Sequence, residues 1–127
     1  MLIIPPPKFR KHRGQIKTKT APPAPPVPIN TITSVVVRED QVTTEIFFSP
    51  GTVVTAVNDP DDNFFVNYPG GQTASNTAQI VGPAWVRLVL SDQIDPPSTW
   101  EVDSQELFVF ASGVFAGPNT GDVIFPV

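Results

Sequence analysis

The sequence predicts an all-β protein: a single antiparallel β-sandwich carried behind an extended, basic, proline-rich N-terminal arm. Two observations predict the sandwich. Beyond about Asn30, runs of Val, Ile, Thr and Phe recur about every 8 to 15 residues with turn residues between them, the rhythm of a sandwich or barrel. Over the same region no stretch of about 11 or more residues carries a helical apolar stripe without Gly or Pro interrupting it. The arm follows from a third: six of the eight basic residues fall in the first nineteen positions, where there is no acid.

The arm comes first, over residues 1–20. Its cations are Lys8, Arg10, Lys11, Arg13, Lys17 and Lys19, a charge of +6, and Leu2, Ile3 and Ile4 form an apolar tip ahead of Pro5-Pro6-Pro7. This start is unlike a secretory signal, in which positive charge precedes an apolar run of about 7 to 15 residues. Residues 21–29 form a spacer. Ala21-Pro22-Pro23-Ala24-Pro25-Pro26-Val27-Pro28 holds five prolines in eight residues. Proline fixes φ and removes amide donors, so this stretch is expected to run as extended polyproline II, about 3.1 Å per residue and roughly 25 Å long. Lys19 with the following prolines also fits the basic-plus-PxxP pattern of SH3 ligands, a pattern met by almost any proline tract behind a cation.

Residues 30–127 form the body, with strands expected over 32–38, 42–49, 53–57, 64–68, 78–81, 84–90, 99–102, 107–111 and 123–125. Alternation assigns faces. Val42, Thr44, Ile46 and Phe48 should point inward and Thr43 and Glu45 outward; Val86, Leu88 and Leu90 should oppose Trp85, Arg87 and Val89. Phe47 and Phe48 are adjacent, so their rings must lie on opposite faces, leaving some aromatic surface outward. Between strands stand Ser49-Pro50-Gly51, Asp59-Pro60-Asp61-Asp62, Pro69-Gly70-Gly71, Val81-Gly82-Pro83, Asp95-Pro96-Pro97 and Gly117-Pro118-Asn119-Thr120-Gly121, all turn formers.

Composition narrows the function. The chain has 127 residues, one domain by length, with 40% hydrophobic and 16% charged residues and no apolar run of membrane-spanning length. Without cysteine there are no thiolate metal sites, thiol nucleophiles or redox switches. The one histidine, His12, sits among the arm's cations, away from any positioned partner, so general-base catalysis is poorly supplied and no enzyme activity or cofactor is expected. Turn carboxylates lack the buried cleft that would set an acid and a base apart. Asp59, Asp61, Asp62 and Asn63 concentrate oxygen ligands of the kind Ca²⁺ takes, but Phe64 and Gly70 stand where a calcium-binding helix-loop-helix needs Gly and Glu, and a hydrated turn is the simpler reading.

Net charge is −4, but residues 20–127 carry −10, with only Arg38 and Arg87 against all twelve acids. Such an arm can be a solvated terminus, bind nucleic acid through phosphates, or dock on an acidic neighbouring subunit. The body's own acidity opposes nucleic acid, and only Phe9 could stack on a base. Docking on other subunits or on copies of the same chain, with the apolar tip in a partner groove, is the reading carried forward. Trp85, opposed to Val86 and Leu88, is the candidate platform should the body instead bind carbohydrate or act as an adhesive module.

The run from 34 to 127 resembles the immunoglobulin-like domains repeated in bacterial surface proteins and found singly in phage virion proteins. The residues that carry the resemblance are Val42-Thr43-Thr44-Glu45-Ile46-Phe47-Phe48-Ser49-Pro50, the Phe64-Phe65-Val66 entry, Val86-Arg87-Leu88-Val89-Leu90 and the Pro118-Asn119-Thr120-Gly121 turn. The resemblance implies an immunoglobulin-like sandwich. A basic arm tethering a small β-domain is similar to phage capsid and tail accessory proteins. The expectation is a non-enzymatic structural component of a virion, made in the host cytoplasm and held in an oligomeric assembly.

Overall fold

Twelve strands and one helical turn make up residues 27–126, the part of the chain that the computed structural model describes. In chain order they are β1 (Ile29–Asn30), β2 (Ile32–Val37), β3 (Thr43–Phe48), β4 (Val54–Val57), α1 (Pro60–Asn63), β5 (Phe64–Tyr68), β6 (Gly71–Ala74), β7 (Ala78–Gly82), β8 (Trp85–Val89), β9 (Thr99–Val102), β10 (Phe108–Phe110), β11 (Val114–Phe115) and β12 (Thr120–Ile124). Eight strands join in one sheet of order β6-β5-β9-β12-β2-β3-β8-β7, and β4-β10 and β1-β11 pair separately.

The sheet curls because β12 changes partners along its length. Residues Thr120, Gly121 and Asp122 pair antiparallel with β9, whereas Val123 and Ile124 run parallel to β2. At one end β6 returns to the chain just past β8: the Ser91 N–H donates to the Ala74 carbonyl at 2.9 Å and the Asp92 N–H to the Thr73 hydroxyl at 3.1 Å. β4 is tied to the β7–β8 turn by a bond from the Val54 N–H to the Pro83 carbonyl at 2.8 Å. These ties cover backbone edges that would otherwise stand open to pairing with other chains.

The curl encloses one apolar core. Val35, Val37, Ile46, Phe64, Val66, Val86, Leu88, Ile94 and Leu107 are wholly or almost wholly withdrawn from water. Phe48 meets Phe108 edge-on at 4.9 Å, and Phe64 stacks on Trp100 at 6.3 Å with the rings 9° apart. Each such side chain contributes about 1.5–3 kcal/mol on burial. The expected faces are those observed: Thr44, Ile46, Phe48, Val86, Leu88 and Leu90 are buried, and Phe47 lies half-buried on the outer face.

Three expectations change. The pairing is not purely antiparallel, since β2–β12 and β1–β11 are parallel; long connections leave strand direction open where a hairpin would set it. The Pro69-Gly70-Gly71 turn is shorter than expected. Tyr68 pairs with Gly71, so Pro69 and Gly70 alone turn the chain and Gly71 already opens β6. The spacer also ends sooner, because the Pro28 carbonyl accepts the Val114 N–H at 3.0 Å and Ile29 and Asn30 pair with β11. The short strands β1 and β11 carry too few residues for alternation to register.

Candidate functional site

On the outer face of β3, Glu45 stands where alternation points it at water, yet it is only 4% exposed. Its neighbours explain this. Arg87 is directly across on β8 and Trp85 lies two residues along, so both side chains close over the carboxylate. The Trp85 indole N–H donates to Oε1 at 2.7 Å, and Arg87 Nε reaches Oε1 at 3.1 Å and Oε2 at 2.9 Å. From the end of β2, Arg38 Nε lies 2.6 Å from Oε2. Burial pushes the Glu45 carboxyl up, but the indole, the Arg87 bonds and the charge of Arg38 together outweigh it and hold the group below the usual carboxylate range.

This cluster gathers both of the body's cations on one acid. Eleven of the twelve carboxylates are left with no arginine or lysine partner among the described residues. The body's remaining charged side chains are therefore all acidic. Alternation alone missed it, because it assigns a side but not a cover. The available signal was that Glu45 and the body's two arginines all fall at outward positions.

Trp85, the residue offered as a carbohydrate platform, is part of this cover. Its ring stacks on Phe47 at 5.6 Å and 25°, the Arg87 guanidinium lies 5.5 Å from its centroid, and its N–H is already donated. A sugar would have to compete with all three. The Asp59 loop forms α1, a single turn begun by buried Pro60 at the position where fixed φ suits a helix start. Asp61 and Asp62 face water, and the Asn63 amide nitrogen donates to the Asn58 carbonyl at 3.1 Å. Among the described residues no three carboxylates or imidazoles converge as a metal ion would need. The calcium candidates Asp59, Asp61, Asp62 and Asn63 lie on or beside this one turn. Leu2, Ile3, Ile4, the six arm cations and His12 lie outside the described residues.

A second feature lies where the leader joins the body. The Asn30 side chain is buried, donating through Nδ2 to the Ser112 carbonyl at 3.0 Å while its Oδ1 accepts the Thr52 hydroxyl at 2.9 Å. Thr52 in turn sits 3.1 Å from the Ser49 hydroxyl, which accepts the Thr31 N–H. Gly113 completes the anchor. At φ +85° it lets the Pro28 carbonyl approach so closely that a Cβ there would lie 2.2 Å from the oxygen.

Beside this anchor opens a groove of about 520 Å³, with Phe108, Val109, Phe110, Val114 and Phe115 as apolar walls and Asn58, Gln105 and Glu106 at its polar side. Val109 and Val114 are exposed there at 42% and 54%. Its walls are close in sequence, but β10 and β11 are placed by pairing with β4 and β1 far away in the chain, which no local pattern shows.

With this geometry in hand, the fold can be compared with others. It is similar to a crystal structure of the S-layer protein rSbsC(31-844), with a TM-score of 0.59 at 16% identity over 78% of this chain. A second crystal structure, of the N-terminal part of the bacterial S-layer protein SbsC, gives 0.54 at 16% identity over the same share. The chain spans 14% and 24% of those two chains. No family model and no curated protein matches the sequence. The likeness shows an all-β fold shared with a bacterial surface protein.

Proposed function

We propose that this chain is a non-enzymatic structural protein that assembles with copies of itself or with neighbouring subunits, its cationic leader gripping an acidic body. The observation that carries this reading is the division of charge. Both body cations pair with Glu45, so eleven carboxylates of the body have no arginine or lysine partner among the described residues, and the sequence places six cations in the leader. Opposite fields of this kind favour encounter between copies and fall off with salt. The fold shared with S-layer proteins supports a structural role.

The finer reading is an immunoglobulin-like sandwich serving as a virion component, made in the host cytoplasm and held on a particle by its arm. The resemblance of the strand motifs to single-copy phage domains supports it, as does the joining of a basic arm to a small β-domain. The described residues hold no helix long and apolar enough to cross a membrane.

The test is sedimentation velocity on the full chain and on a form lacking residues 1–26, at low and high salt. The full chain should assemble at low salt and dissociate as salt rises, and the truncated form should stay monomeric. Equal assembly of both forms would refute the grip. For the virion setting, purified particles should carry the full chain at fixed stoichiometry and lose the truncated one.

A further inference from the structure

We propose that the groove between β10 and β11 receives the Leu2-Ile3-Ile4 tip of a second copy of this chain, linking molecules head to tail. This rests on the assembly reading above and names its contact.

The groove's walls are strand edges as well as aromatic rings. β10 has β4 as its ladder partner and β11 has β1. The Asn58 N–H bonds to the Leu107 carbonyl and the Ala111 N–H to the Val53 carbonyl, so the intervening alternation turns the backbone groups of Phe108 and Phe110 away from β4. Val114 and Ala116 donate to Pro28 and Asn30, which turns the backbone of Phe115 away from β1. An extended apolar segment entering between them can add backbone bonds while its side chains meet exposed Val109 and Val114 and half-buried Phe110, beside the buried Phe108 and Phe115 rings. Leu2, Ile3 and Ile4 form such a segment, and behind them Pro5-Pro6-Pro7 holds the chain extended.

Charge agrees with this placement. Glu106 lies at the groove and Asp103 follows β9 nearby in the chain, while the cations behind the tip begin at Lys8. A seated tip therefore draws the leader's six cations over acidic surface. The choice of a second copy follows from where the leader starts. Pro28 sits against Gly113, one residue from the groove wall at Val114, and the proline-rich spacer is expected to carry the preceding residues roughly 25 Å outward. A spacer extended as its prolines predict carries the tip away from its own groove, which favours a neighbour's. Such a contact joins two different surfaces, so it builds chains or closed rings rather than stopping at a symmetric dimer.

The experiment uses two full-length variants. Val109→Asp with Val114→Asp blocks the groove at two exposed positions, and Ile3→Asp with Ile4→Asp blocks the tip. Circular dichroism and melting curves verify that both remain folded. Sedimentation velocity should show each variant associating at least tenfold more weakly than the natural chain, while an equimolar mixture forms a dimer from one intact groove and one intact tip. If the groove variant assembles like the natural chain while the truncation of residues 1–26 does not, the leader grips elsewhere; this proposal falls and the assembly reading stands. Two weakened variants that fail to complement on mixing would place the tip in its own subunit or at another surface, and would also overturn the proposal. A natural chain that is monomeric at all salt concentrations would overturn both.

Discussion

Replacing Glu45 by alanine removes the acceptor that holds Trp85, Arg87 and Arg38 on the outer sheet face, and the structure sets the size of the effect. A bond to a charged group is worth about 1.5–3 kcal/mol when sheltered, and the 2.7 Å indole bond joins a buried carboxylate to a half-buried ring. The arginines count for less. The Arg87 side chain is 25% exposed and that of Arg38 52%, so solvent screening cuts the latter to a few tenths of a kcal/mol. Relief of the carboxylate's own desolvation offsets part of the loss. The expected net destabilisation is about 2 kcal/mol, or roughly 10 °C in Tm for a domain of this size. Glu45→Gln keeps an acceptor for the indole and should cost about 1 kcal/mol at neutral pH. The sign with pH follows from the lowered carboxyl. A group whose folded pKa is depressed stabilises fully above its unfolded value, the ordinary glutamate value of about 4.5, and that stabilisation is lost as pH falls through the folded value. Glutamine mimics the protonated acid, so the gap between Glu45→Gln and the natural chain, measured by urea unfolding from pH 7 to pH 3, should close on acidification. A gap that stays constant over that range would refute the ion network as the reason Glu45 is buried.

Three more changes, one with a control, test other parts of the fold. Gly113→Ala forces a Cβ against the Pro28 carbonyl at positive φ; it should cost about 2–3 kcal/mol and raise amide hydrogen exchange at Val114 and Ala116, with core amides less affected. Thr52→Val strands the Asn30 Oδ1 in a buried site, and calorimetry should show a loss of about 1–3 kcal/mol, whereas Thr55→Val at an exposed position should change little. Phe64→Ala empties the fully buried place stacked on Trp100 and should cost about 3–5 kcal/mol by denaturant titration.

Local pattern reached far into this fold. Alternation in 42–48 and 86–90 places Ile46, Phe48, Val86 and Leu88 in the core, where they lie, because a strand's successive side chains take opposite faces and here one face meets water. It failed at β1, β6 and β11, where two to four residues are too few to show a period and glycine reads as turn. It also failed at Glu45. Whether an outward carboxylate stays wet depends on what the next strand places over it, and the register that sets Arg87 opposite Glu45 is a long-range fact.

By itself, the sequence determined the β class, the inward face of its longer strands and the segregation of six cations from twelve acids, since these follow from residue type and short-range order. Tertiary structure alone decided that β12 divides itself between β9 and β2, that both body arginines meet on one carboxylate, and that β4 and β1 hold β10 and β11 on either side of a groove. The reason is physical: pairing between strands distant in the chain is selected by the closure of the whole core, and no window of neighbouring residues contains that energy.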